Sequence, residues 1–162
     1  MKRHTSLHPL SQHHHFALIQ ALFIRRASNE PAAKRAAAMR RIAQKFLVFW
    51  ENAGRLHFRE EEEVLLPAYA RRKSIAKDAD VMRMLADHAE IRGRIAHLAE
   101  LVEAHEPVEE ELTALGKLLS DHVRLEEDKI FPRIEKTLSE PELQQLAPRL
   151  TRLHKKGETC DL

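Results

Sequence analysis

The chain has 162 residues, with 27 Lys and Arg against 25 Asp and Glu, a formal charge of +2 with histidine neutral. Only 4 Gly, 7 Pro and 5% aromatic residues accompany 43% hydrophobic ones, and with Ala, Leu, Glu and Arg abundant and strand formers scarce, a strand-rich fold is excluded. The charges are interspersed, with no basic stripe for a phosphate backbone and no apolar run of ~18 residues for a membrane span, so neither nucleic acid nor membrane is expected as a partner.

Leu7, Leu10, His14, Leu18 and Ala21 recur at helical spacing and predict a first helix over about 9–27, ended by Ser28-Asn29-Glu30. Pro31 starts a second, in which Ile42, Phe46, Phe49, Trp50, Ala53, His57, Val64 and Leu65 continue one apolar stripe to about Arg72. Gly54 and Pro67 are its weak points, and a kink is expected at Pro67. Asp78 or Asp80 caps a third helix with the stripe Val81, Met84, Leu85, His88, Ile91, Ile95, Leu98 and Val102, which stops before Pro107. The fourth opens on the acidic turn Glu109 to Glu111, favourable to the helix dipole, and carries Leu112, Leu115, Leu118, Leu119, His122, Leu125 and Ile130. After Ser139-Glu140-Pro141 a short helix to about Leu153 precedes a polar tail. Long amphipathic helices with short connections predict an all-α, up-down-up-down four-helix bundle with a short extra C-terminal helix. One domain is expected over 1–162, its core at about 7–137 and the extra helix and tail at 138–162. The opening MKRHTSLHPLSQHHH has no signal-peptide apolar stretch, and the single Cys160 reads as a free thiol, which together suit a cytoplasmic protein.

An internal repeat is the most informative feature. Residues 57–67 read HFREEEEVLLP and residues 122–132 read HVRLEEDKIFP, five identities at an offset of 65 without a gap. One helix end is used twice, and two similar hairpins are expected. In each copy His and Glu stand four apart, His57 with Glu61 and His122 with Glu126, which sets both side chains on one helix face. Both pairs lie in the apolar stripe, where a carboxylate without a partner is costly. The other two helices carry His14 and His88 in their own stripes, so every helix offers a donor to one layer of the core. Four imidazoles, two carboxylates and no thiolate form a donor set that suits iron or manganese and accepts zinc. If each of two ions takes two His and shares both Glu, an oxo or hydroxo bridge brings it to five ligands and leaves one position open for dioxygen, nitric oxide or peroxide.

His13, His14 and His15 point some 100° apart on a helix, so they cannot all face the core. His14 continues the stripe, and a one-residue slip in register would put His13 or His15 in its place. Glu60, three after His57, reads either as a solvated or supporting carboxylate or as an extra terminal ligand that distinguishes the two ions, since its counterpart is Leu125. Arg92 is expected to pair with a carboxylate. Tyr69 and Trp50 read as core or rim aromatics, and His4, His8, His97, His105 and His154 as surface. Ala53 and Gly54, opposite Leu118 and Leu119 in the second copy, mark a gap for a small ligand or a close helix contact.

With His14 in SQHHHFAL, His57 and Glu61 in HFREEEEVLLP, His88 in LADHAEI, and His122 and Glu126 in HVRLEEDKIFP, the chain resembles the hemerythrin-like (HHE cation-binding) domains over about residues 7–137. The resemblance implies a four-helix bundle around two non-haem irons held by those six residues. The roles it implies are oxygen binding, sensing of oxygen or nitric oxide, peroxide removal and repair of damaged iron-sulfur centres; a competing expectation is a protein whose iron is cargo for delivery. Two positions depart from the oxygen carriers. Arg92 stands where those have a second third-helix histidine, and Glu127 where they have an aspartate five after the last histidine. The pattern is more similar to the bacterial sensor, enzyme and repair branch than to reversible oxygen carriage.

Overall fold

Apolar stripes separated by short polar breaks yield, in the computed structural model, a helical chain with no strand among the described residues, 3–158, whose side chains are described over 3–153. The side chain of His154 and all of Cys160 lie outside them. After a 3-10 turn at Thr5–Leu7, helix α1 spans His8–Ser28. Helix α2 runs over 32–70, regular at Ala32–Phe49, Arg55–Glu60 and Leu66–Ala70 but widened to π turns at Trp50–Gly54 and Glu61–Leu65. Helix α3, Ala79–Glu103, is capped by the Asp78 side chain, which accepts the Val81 N–H. Helix α4 runs over 109–137, with Glu109–Leu125 and Phe131–Thr137 flanking a π turn at Glu126–Ile130. A capping box of Ser139 and Glu142 opens α5, Glu140–Gln144, and α6 is Leu146–Glu158. Helices α1 and α3 each pack against α2 and α4, which is the up-down-up-down arrangement. No helix among the described residues is long and apolar enough to cross a membrane.

The repeated motif has a repeated backbone. The N–H of Leu66 reaches back five residues to the carbonyl of Glu61, and that of Phe131 to the carbonyl of Glu126. Proline follows at once in both copies, Pro67 and Pro132. A proline lacks the N–H and its ring collides with the carbonyl four residues earlier, so opening the preceding turn accommodates the ring. In place of the kink expected at Pro67, α2 widens just before it and continues to Ala70. The third π turn has no counterpart, since 115–119 lie in regular helix. There Trp50 lies across the backbone of its own helix, and a Cβ on Gly54 would stand 2.3 Å from the Trp50 Cε3.

The core has two apolar parts. One end holds Leu7, Leu10, Leu65, Met84, Ile130 and Phe131, covered by Leu143, Leu146 and Leu150 of α5 and α6. The other holds Ile24, Met39, Phe46, Trp50, Leu98 and Leu112. Between them lies a buried polar layer. The buried face of α1 is Leu10, His14, Ala17, Ile24 and Ala27, whereas Leu18 is 37% exposed, because a strict four-residue step drifts off a 3.6-residue helix. Arg133 pairs with Asp78 and Asp80, and Tyr69 donates to Asp78 at 2.9 Å, which ties the ends of α2 and α4 to the start of α3.

Candidate metal centre

The layer brings together His14 from α1, His57 and Glu61 from α2, His88 from α3, and His122 and Glu126 from α4. None is more than 6% exposed. Their donor atoms form two sets, each within 4.8 Å: His14 and His57 with Glu61 and Glu126, and His88 and His122 with the same two carboxylates. Each carboxylate is turned so that its two oxygens face different sets. Glu61 Oε1 is 3.4 Å from His57 Nε2 and 3.6 Å from His14 Nε2, while its Oε2 is 3.3 Å from His88 Nε2. Glu126 Oε2 is 2.9 Å from His14 Nε2, and its Oε1 is 3.1 Å from His122 Nε2 and 3.6 Å from that of His88. None of these nitrogens and oxygens makes a hydrogen bond. They converge on shared points without aligning with one another. A buried polar atom left unmet costs about 1–3 kcal/mol, and a pair of divalent cations would satisfy the whole group. The layer is therefore able to bind metal.

The far side of each ring is also arranged. Nδ1 of His14 lies 2.7 Å from Glu127 Oε1, and Nδ1 of His88 lies 2.7 Å from Glu62 Oε1. Glu62 and Glu127 occupy the same place in the two copies of the motif. Each in turn meets an arginine: Arg3 at 2.5 Å from Glu127, Arg92 at 2.8 Å from Glu62. Each histidine stacks on a phenylalanine, His88 on Phe58 at 3.8 Å and His14 on Phe131 at 5.1 Å, and each arginine lies 5.2 Å from the centre of the same ring. Looser contacts complete the set, with Asp87 Oδ2 3.6 Å from His122 Nδ1 and Glu60 Oε2 3.9 Å from His57 Nδ1. Carboxylates behind metal-binding imidazoles fix the tautomer and raise the donor strength of the opposite nitrogen.

Charge follows this arrangement. Burial disfavours protonated His88, but Glu126, Glu61 and Glu62 outweigh it and push the ring up to about 11. Burial works the same way on His14, and Glu126, Glu127 and Glu61 likewise hold it well above its usual value. In His57 burial prevails, and the ring is pushed down to about 3. Burial and the neighbouring Glu126 raise Glu61, yet the surrounding histidines bring it down to about 2.

His14 is the member of the triplet in the layer, and His15 is exposed. His13, read as a surface neighbour, instead approaches buried Glu60 at 3.1 Å. Arg92 pairs with Glu62 as expected. His8, His97 and His105 are exposed, whereas His4 is half-buried and accepts the Ser6 N–H at the start of the 3-10 turn. The supporting carboxylates Glu62, Glu127 and Asp87 were not singled out for this part from sequence. Beside the layer is a cavity of about 30 Å³, bordered by Phe16, Phe49, Trp50 and Ala53 and reaching His57 and His122. Gly54 also borders it, but its missing side chain is taken up by the Trp50 ring.

The sequence model of one family, described as the hemerythrin HHE cation binding domain, matches residues 6–134, which is more than half of the chain. No curated protein and no solved structure matches it.

Proposed function

The chain belongs to the hemerythrin HHE cation-binding family, and from that premise we propose that it holds two non-haem irons and binds or reacts with dioxygen, nitric oxide or peroxide as a sensor, scavenger or enzyme. The observation that carries this reading is the split of each carboxylate: one oxygen of Glu61 and one of Glu126 face each pair of histidines. His14 and His57 would hold one ion, His88 and His122 the other, and the two glutamates would be common to both. When bound, the iron pair supplies open coordination positions and one-electron redox chemistry. The protein does the rest. Glu127 and Glu62 hold the rings of His14 and His88 in line, and Arg3 and Arg92 hold those glutamates. The apolar parts of the core on either side keep bulk water out. A cavity of about 30 Å³ exceeds the ~10–15 Å³ a water needs and suits a diatomic or peroxide while larger substrates are excluded.

Burial of all six donors favours retention of the ions over their delivery to an acceptor. The test is metal analysis of protein purified without tag or added metal, with absorption spectra in air and, after reduction, under nitric oxide. Close to two irons per chain and a spectrum that responds to the gas are expected. Manganese or zinc in place of iron, less than one metal per chain, or a spectrum indifferent to both gases would overturn the reading. Ready transfer of iron to a mild chelator would replace it with iron delivery or repair.

A further inference from the structure

Glu60 immediately precedes Glu61 and is fully buried, and the second copy of the motif has Leu125 in its place. Its Oε2 is 3.1 Å from Nδ1 of His13 and 3.9 Å from Nδ1 of His57. Donor atoms of the three residues lie within 4.8 Å of one another, a spacing that a single cation can span. The His13 side chain is 23% exposed and that of Glu60 is not exposed at all, so the trio leads from solvent to the edge of the buried layer. The six inner donors are each no more than 6% exposed, and the cavity that reaches His57 and His122 is walled by the apolar Phe16, Phe49, Trp50 and Ala53. A divalent cation does not shed its water into an apolar wall; it exchanges water for protein donors step by step.

We propose that His13, Glu60 and His57 form a third cation position, a loading station through which a ferrous or other first-row divalent ion passes to the inner pair. This rests on the dinuclear reading, because His57 belongs to both positions. Its Nδ1 faces Glu60, and its Nε2 faces Glu61 at 3.4 Å. A neutral imidazole offers a lone pair on one nitrogen at a time. His57 therefore serves the outer ion through Nδ1 until Nε2 takes the inner one, after which His13 and Glu60 hold the outer position alone and weakly. In the second half Leu125 stands in place of Glu60, and Asp87, 3.6 Å from His122 Nδ1, has no second histidine to complete a trio among the described residues, so the inner positions fill from the His57 side. His13 distinguishes this from simple support of a ring, since a glutamate that only orients His57 has no use for a second histidine at the solvent edge.

The experiment is anaerobic titration of the metal-free protein with Co(II), read by its visible absorption, together with stopped-flow uptake of Fe(II). The wild type is compared with His13→Ala, with Glu60→Leu, which copies the second motif, and with His97→Ala as an exposed control. The wild type and the control should show two tight equivalents and a weaker third. His13→Ala and Glu60→Leu should both lose the third and take up the inner ions about tenfold more slowly, the scale on which one group beside a metal acts. Two tight equivalents with no third overturn the station and leave the dinuclear reading intact. So does His13→Ala loading at the wild-type rate, or Glu60→Leu alone slowing uptake. Fewer than two tight equivalents in the wild type overturn the dinuclear reading and the station with it.

Discussion

His88 is held up to about 11 and His14 well above its usual value by the carboxylates around them, so in the metal-free chain the surroundings of both rings favour the protonated form. Coordination needs the neutral ring, and loading must expel those protons. A titration with Zn(II) or Fe(II) in weak buffer should acidify the solution, and affinity should rise with pH across the neutral range. Loading at pH 7 without proton release would contradict the assignment of charge. The same shifts set the stability of the metal-free fold. The His88 contribution is complete below its ordinary value of ~6.5 and is lost as pH rises through about 11. His57 acts in the opposite sense, its contribution present above ~6.5 and lost as pH falls through about 3. A second residue-scale expectation concerns the supports: Glu62→Gln and Glu127→Gln should each weaken metal binding by about 10–100-fold, measured by competition with a chelator, and wild-type affinity would show that these glutamates orient nothing. That these six side chains meet in one buried layer was legible in sequence, because each lies in an apolar stripe where a solvated role is costly. Glu62 and Glu127 were hidden inside acidic runs that read as exposed charge. Two signals could have found them: identity at the offset of 65, and Arg92 one helical turn from His88. Asp87 carried no such mark, since a carboxylate beside a histidine in sequence predicts no contact with a histidine on another helix.

At the scale of the element, the helices were legible almost end to end, because stripes and caps report where a helix lies. The π turns were not. One extra residue in a turn barely disturbs an apolar stripe, and the clue was chemical: a proline six residues after each shared glutamate. That turn sits at Glu61 and at Glu126, so the widened backbone and the carboxylate common to both sets coincide in each half, a placement frequent at functional sites. The turn at Trp50–Gly54 rests on a different cause, the indole lying over Gly54. Gly54→Ala should displace the ring and destabilise the fold by about 1–3 kcal/mol, read by thermal unfolding and by the emission of Trp50, the single tryptophan. Unchanged emission and melting would mean that the helix yields there without cost. Ala53→Leu tests the cavity. It should keep the bound metal and slow nitric oxide binding to the reduced protein in stopped flow; a wild-type rate would place the route elsewhere.

For the whole molecule, the bundle order was legible from four stripes and short connections, whereas the covering of one end by α5 and α6 was not, because a short amphipathic segment does not reveal which surface it meets. Leu150, on the inner face of that cover, is 2% exposed, and Leu150→Ala should cost about 2–5 kcal/mol by chemical denaturation. A cost under 1 kcal/mol would make the cover an accessory. The polar layer parts the described buried apolar residues into two clusters, and metal would be the rivet across the seam. With metal, unfolding should be a single transition. Without it, fluorescence of Trp50 in one part and helical circular dichroism of the whole should cease to coincide on heating, and coincident curves would show that side-chain packing alone couples the halves. Amide hydrogens would then register the state of the site: on loss of metal, exchange in α6, which packs against the part of α2 that carries His57 and Glu61, should quicken together with that of the helix ends it covers, turning a chemical event at mid-bundle into a change in breathing at its terminus.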